Sequence, residues 1–396
     1  MPDISKKTFI WAISGLILLR VILVVLMMNN VPFTDMQLGG FRPHFNESYM
    51  PDEQKFFDIG KGLATGKIIN SSPSNIGYGL FLAPFIYFYD AKEPIDIAKP
   101  IFIFQEFMLF PVALILVALI AIYLFKSHFW AAISAGLFAV YPWLILGFGK
   151  IIGYRNAIPA FHHQLWIIIQ SDYLSALFVY LSFFLILKWF DELFKQPSVG
   201  YLKLIFLGFS GGASLLFKMT NIWLILIIFA TFLYFKQYKK ALSYGLCFAI
   251  VYSPQLIFNM FAFGALWTYG YISKQAGVPY SILSMFNISN FWLNFKNFSP
   301  HYYFFLFLIL AAFFILIFIF GRYCLGNINK KGAIITAAWF WSYLLFFGAF
   351  MDSTQSLRYF LPAVPVFIYF FIGSLIYFTN RSNLIEDKYL NNAKPF

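Results

Sequence analysis

The sequence predicts an all-α protein, a polytopic bundle of about ten transmembrane helices with amphipathic helices in its first extracytoplasmic loop. Three observations lead there. Of 396 residues, 61% are hydrophobic and 11% charged, with a mean hydropathy of +0.75; a water-soluble domain of that composition would expose large apolar patches. The apolar residues fall into runs of about 20, the length a helix needs to cross ~30 Å of hydrocarbon. Among the short connectors the lysines and arginines gather between alternate pairs of runs, which orients helices in a membrane, while the first long loop is lysine-rich as well.

The first run, residues 9–28, carries one internal charge, Arg20, and no small-residue cleavage site follows it, so a retained span is expected. Later runs cover about 101–125, 129–148, 171–190, 204–235, 241–258, 302–320, 332–350 and 361–378. The segment 204–235 is anomalous, because as one helix it would measure about 48 Å. If it turns at 218–221, the clusters Lys6/Lys7, Lys126, Lys188/Lys195/Lys203, Lys236/Lys239/Lys240, Arg322/Lys330/Lys331 and Arg381/Lys388/Lys394 all fall on one side. A single crossing divides them between the two sides. The expectation is one integral membrane domain over 1–396, both termini cytoplasmic, with Lys218 at an extracytoplasmic hairpin tip.

That topology leaves two long extracytoplasmic loops, 29–98 and 259–300, and shorter ones near 148–170 and 352–358. Polar residues there have no part in spanning the bilayer, so functional groups are expected on that face. In the first loop, 78–89 is apolar but short and contains Pro84, which suits an interfacial or re-entrant helix better than a span. The formal charge of +12 is spread over connectors and implies no nucleic-acid partner. Cys247 and Cys324 have no histidine or cysteine spacing suited to zinc.

The stretch 51–67, PDEQKFFDIGKGLATGK, predicts a short amphipathic helix with proline in its first turn, Phe56, Ile59 or Gly60, and Leu63 on one face, and Gly66 as its stop. The acidic pair Asp52 and Glu53 at its start either complements the helix dipole or supplies a base at the membrane surface. Cations suited to a phosphate sit at the same boundary. Arg358 offers a guanidinium that matches phosphate oxygens, or snorkels to the interface. Lys218 reaches a head group or anchors its hairpin. Lys150, Arg155, His162 and His163 contact phosphate or acceptor, or belong to a solvated loop; adjacent histidines alone make a poor metal site. Arg20 and Glu106 are charges inside spans, which mark either function or a mutual pairing. The aromatics of 259–300, among them Trp267 and Tyr280, either stack on sugar faces or form an interfacial belt.

The acidic pair in the first outer loop with the apolar YGLFLAPF stretch after it, Ser171-Asp172-Tyr173-Leu174 at the start of a span, the glycine-rich GFSGGASLLFKMTNIWLILI segment over 208–227 and RYFLPAVPVF over 358–367 together resemble the membrane glycosyltransferases of the GT-C fold, and most closely their protein O-mannosyltransferase and aminoarabinose transferase branches. The resemblance implies inverting transfer of one sugar from a polyprenyl-phosphate or dolichyl-phosphate donor to a glycan, lipid or protein acceptor on the extracytoplasmic face. It implies Asp52 as general base, with Glu53 orienting or assisting a divalent cation, the one candidate cofactor. A polysaccharide polymerase and a lipid or sugar transporter or flippase are the alternatives.

Overall fold

A computed structural model describes residues 3–28, 51–68, 75–151, 165–166, 169–196, 200–264, 266, 330–349 and 361–392. Described residues in regular structure are all helical. The helices are α1 (Lys6–Met28), α2 (Pro51–Ala64), α3 (Ile76–Phe88), α4 (Pro94–Phe104), α5 (Phe110–Phe125), α6 (His128–Ile151), α7 (Asp172–Lys188), α8 (Phe190–Phe194), α9 (Tyr201–Phe217), α10 (Ile222–Tyr234), α11 (Tyr238–Phe263), α12 (Lys330–Ala349) and α13 (Val364–Asn392). Among the described residues, four helical stretches are long and apolar enough to cross a membrane: Lys6–Met27, Pro94–Phe125, Tyr238–Phe263 and Leu361–Thr379. They mark the chain as a membrane protein, and its surface agrees. Trp11 and Leu18 on α1, Tyr201 and Phe206 on α9, and Ile250 and Phe261 on α11 are all more than half exposed, an arrangement suited to lipid and not to water.

Side-chain contacts fix the direction of each helix. Asp3 accepts from the backbone N–H of His128 while Arg20 reaches Ala139, so α1 and α6 run parallel in direct contact, and α5 runs antiparallel to α6. The α5–α6 turn is closed by Lys126 in the left-handed conformation, φ 53°. Lys218 pairs with Asp172 at one end of α7 and α9 and Ser182 meets Ser210 further along, which makes these two antiparallel. Gly208 lies against Tyr244 and Cys247, and Gly212 against Phe248 and Val251, so α9 and α11 run parallel in close contact. Two parallel neighbours this close in sequence require a return path between them. The long apolar segment 204–235 is therefore divided, as its length and charge predict: α9 stops at Phe217, Lys218 is extended at φ −154° and ψ 116°, a single 3₁₀ turn covers Met219–Asn221, and α10 runs back against α11.

The alternating directions give the bundle two chemically different ends. One gathers Lys6, Lys126, Lys195, Lys203, Lys240 and Lys331, where Lys331 and Lys195 flank Asp191 and hold its carboxyl below the usual range. Lys240 is nine-tenths buried there and donates to the carbonyls of Glu192, Leu193 and Gln196. The other end receives α2, α3, the α9–α10 break and the start of α7. Between the two lies a core dense in aromatics, such as Trp339 stacked on Phe183 at 3.9 Å, where Tyr180 donates to Leu361 and Tyr369 to Val117.

Two features depart from expectation. The second span starts earlier than residue 101, at Pro94, where a capping box between Glu93 and Asp96 supplies a start signal that hydropathy does not register. It also contains a π-helical turn, Gln105–Leu109, a device common at functional sites.

α2 and α3 form a hairpin-like unit joined through glycines. A side chain at Gly60 would meet Gly79 and Leu82, and one at Gly79 would meet Ile59. Gly66, at φ 69°, ends α2 as predicted. The buried face keeps the predicted Ile59 and Gly60 and adds Glu53 and Phe57, while Phe56 and Leu63 are half-buried at its edge, packed against the core. Docking of the unit onto the bundle depends on Gly77, whose Cα faces the backbone of Leu216 and Phe217. An added methyl would sit 2.6 Å from the Leu216 carbonyl oxygen. Gly77→Ala is expected to destabilise the protein by about 1–3 kcal/mol, since backbone on both sides has to move. Gly15→Ala, with nothing within 4 Å, is expected to be neutral or mildly stabilising. Thermal unfolding in detergent of the two variants checks the contrast.

Candidate functional site

The end of the bundle that receives α2 holds a continuous layer of buried polar side chains. Glu53 is 3% exposed, and its position on the inward face of α2 follows from the 53–57–60 register. It lies within electrostatic reach of the Tyr78 hydroxyl, as do Asp172 and Tyr173. Tyr78, fully buried on α3, donates to Gln105 Oε1 at 2.8 Å, and Gln105 is the residue that opens the π turn in the second span. Gln170 donates to the Tyr173 hydroxyl at 2.9 Å, and Trp166 stacks on Tyr173 at 5.2 Å.

The layer continues across the α9–α10 break. Lys218 is ion-paired with Asp172, and the two side chains are 12% and 6% exposed. Asn221, fully buried, donates to Ser175 Oγ at 2.8 Å and to the Ser214 carbonyl at 2.9 Å, and its own carbonyl accepts from Tyr343. One carboxamide thus joins α7, α9, α10 and α12. On the α11 side, Gln255 accepts from the Ile76 N–H at 2.8 Å and donates to Asn259, while Asn75 donates to Leu215. These bonds tether the start of α3 to the break. A polar layer this deep is expensive in hydrocarbon unless its groups satisfy one another, which most of the carboxamides and hydroxyls do; the Gln170 carboxamide oxygen and the Thr220 hydroxyl have no partner among the described residues.

A second buried charge pair lies along α1. Arg20 and Glu106 meet through Nε–Oε1 at 2.5 Å and Nη2–Oε2 at 3.2 Å, and Arg20 also donates to Ala139 at 3.2 Å. The guanidinium sits 4.2 Å from the Phe110 ring centre and 4.9 Å from that of Trp143. The pairing, one of the two readings of these intramembrane charges, is present, and Glu106 is the residue next to Gln105.

The predicted site residues divide as follows. Glu53 joins the polar layer. Asp52 lies in the first turn of α2 and Lys150 in the last turn of α6, their side chains outside the described part of the structure. Arg155, His162, His163 and Arg358 lie outside the described residues, as do Trp267 and Tyr280. Lys218 is at the predicted tip, with its ammonium taken up by Asp172, so it is not an unengaged cation. Asp58, a third acid of α2 beyond the predicted pair, is hydrogen-bonded by Gln54 at 2.7 Å on α2 itself. Among the described residues no three carboxylate, imidazole or thiol groups gather to hold a metal ion.

Sequence reading missed Tyr78, Gln105, Gln170, Asn221, Gln255 and Asn259. Their common signal is a carboxamide or phenol inside or beside an otherwise apolar run, where an unbonded polar group would be costly. Compared with protein-family models, curated proteins and solved structures, the chain gives no match.

Proposed function

We propose that the chain is a membrane glycosyltransferase of about ten GT-C-like spans, which moves a single sugar from a polyprenyl-phosphate donor to an acceptor at the extracytoplasmic end of the bundle. The observation that carries this reading is the docking of an acid-bearing amphipathic helix, α2, against a buried polar layer at the end of the bundle opposite the lysine-rich one. Lysine-rich connectors are retained on the cytoplasmic side, so the acids are assigned to the outer face of a cell inner or plasma membrane.

The chemistry suits those groups. An acceptor hydroxyl or amine must lose a proton as it attacks the anomeric carbon, and a carboxylate within hydrogen-bond reach accepts it. The C–O bond to the lipid phosphate breaks on the opposite face, giving inversion. The leaving phosphate carries its own charge and needs cations and dipoles instead of an acid. Asp52 is assigned as base, with Glu53 orienting it or the acceptor from the buried face of α2. Arg358, Lys218, Lys150, Arg155, His162 and His163 are assigned to phosphate and acceptor contacts.

The test is transfer of radiolabelled sugar from a polyprenyl-phosphate pool into membranes holding the parent, Asp52→Asn or Glu53→Gln. Asp52→Asn is expected to lose about 10²–10⁴-fold in rate, with insertion unchanged. Equal transfer by parent and variant would remove the base role. The flippase reading draws on one observation, the interrupted α9–α10 segment with buried charge beside it, since transporters build sites on discontinuous helices.

A further inference from the structure

We infer that Asp172 is a built-in counter-ion, which occupies an anion site centred on Lys218 and must yield it when a phosphate monoester enters. The inference rests on the proposed transfer and assigns the hold on its lipid product, since a polyprenyl-phosphate sugar is a phosphodiester with a single negative charge and becomes a dianionic monoester only when the sugar has left.

Two helix N-termini lie side by side at this point. Asp172 opens α7, Asn221 directly precedes α10, and the Asn221–Ser175 hydrogen bond at 2.8 Å ties their first turns together beside the Lys218–Asp172 pair. Each N-terminus is worth about half a positive charge. With the ammonium and one carboxylate included, the site keeps an excess of about one positive charge. A dianionic phosphate neutralises that excess better than the single carboxylate does.

Two polar atoms close to the pair in the chain lack partners among the described residues. Gln170, two residues before Asp172 and 3% exposed, has a carboxamide oxygen with no hydrogen-bond partner among the described residues. The hydroxyl of Thr220, in the 3₁₀ turn next to Lys218, is also buried without one. Thr220 can donate to a phosphate oxygen, and Gln170 can accept from a ligand hydroxyl. Burying a lysine–carboxylate pair this deeply gives little stability in return for its desolvation, so a functional reason for retaining it is called for. An internal carboxylate that holds the cation keeps the site closed to weak anions, and lowers the apparent affinity for the correct one by the fraction of molecules in which the pair is intact.

The experiment is equilibrium dialysis of the detergent-purified full chain with three radiolabelled probes: a short-chain prenyl monophosphate, the matching prenol, and inorganic phosphate. Asp172→Asn is expected to bind the prenyl monophosphate about tenfold more tightly than the parent, Asp172→Glu like the parent, and Lys218→Met at least tenfold more weakly. The double variant is expected to follow Lys218→Met, and prenol binding should not respond to any of the changes. If inorganic phosphate tightens as far as the prenyl compound, the site takes phosphate from either source and the anion inference stands; if prenyl monophosphate alone tightens, the occupant is a lipid headgroup. Unchanged or weakened binding by a folded Asp172→Asn, or no phosphate binding by any form, overturns the inference. The two proposals fail separately. Asp172→Asn can tighten phosphate binding in a protein that transfers no sugar, and Asp52-dependent transfer can occur with an affinity that ignores Asp172.

Discussion

Neutralising either member of the Arg20–Glu106 pair is expected to destabilise the protein by about 3–5 kcal/mol. Both groups are fully buried, at about 1% exposure, and each is the other's counter-charge. Arg20→Met leaves Glu106 in the bundle without a cation; Glu106→Gln keeps one acceptor but leaves the guanidinium without a counter-charge, beside the Ala139 carbonyl and the faces of Phe110 and Trp143. Cation–π contacts of about 0.5–2 kcal/mol do not replace an ion pair. The pair itself need not be a net gain, because removing both charges from hydrocarbon avoids their shared desolvation. Arg20→Met with Glu106→Leu is therefore expected to recover most of what either single change loses. Thermal unfolding of detergent-purified variants reads this directly; a double variant as unstable as the worse single one would show that the charges do more than compensate each other.

Asn221→Ala is expected to cost about 2–4 kcal/mol, from three hydrogen bonds at about 0.6–1.7 kcal/mol each inside a membrane bundle. The upper part of the range is favoured because Ser175, the Ser214 carbonyl and Tyr343 all lose a partner in a site with no exposure to water. Asn221→Asp keeps the shape and the acceptor for Tyr343 but turns a double donor into a charge, so it is expected to be at least as damaging. Ser175→Ala removes one of the three bonds and is expected to cost about 1 kcal/mol. The ordering Asn221→Asp, Asn221→Ala, Ser175→Ala in unfolding temperature checks the assignment.

Much of the helix layout could be read from the sequence, because membrane helices follow from length and composition. The span around Arg20, the division of 204–235 at Lys218 and the end of α2 at Gly66 all follow from local rules: hydrocarbon thickness, positive charge in connectors and glycine at a helix end; the Arg20–Glu106 pairing was one of two readings of a lone intramembrane charge. The face of α2 was legible at Ile59 and Gly60, but the full burial of Phe57 and Glu53 was not, since it depends on how Gly60 meets Gly79 on a different helix. The π turn that opens at Gln105 has no composition signal. Lys218 illustrates the limit for site residues: its position was predictable, but its engagement with Asp172, 46 residues away in the chain, is set by the packing of α7 against α9. Asp52 and Glu53 could be identified as an acidic pair, whereas the burial of Glu53 depended on how α2 docks.

The buried polar layer also explains why the two ends of the bundle differ in kind. At the lysine-rich end, pairs such as Lys195–Asp191 and Lys331–Asp191 are well exposed and worth little in stability. At the α2 end, acid, ammonium, phenol and carboxamide are withdrawn from water, where electrostatic interactions are strongest. Chemistry that moves charge is favoured at the second end.

The most direct test of sugar transfer, as opposed to transport, is to reconstitute the purified protein into sealed vesicles with a doubly labelled polyprenyl-phosphate sugar, one label in the sugar and one in the lipid, and follow both. Transfer predicts that the labels separate, with sugar appearing on an added acceptor and lipid phosphate staying in the bilayer, and that Asp52→Asn abolishes the separation without abolishing donor binding. Labels that stay together while the intact donor changes leaflet would contradict the glycosyltransferase assignment and identify a flippase.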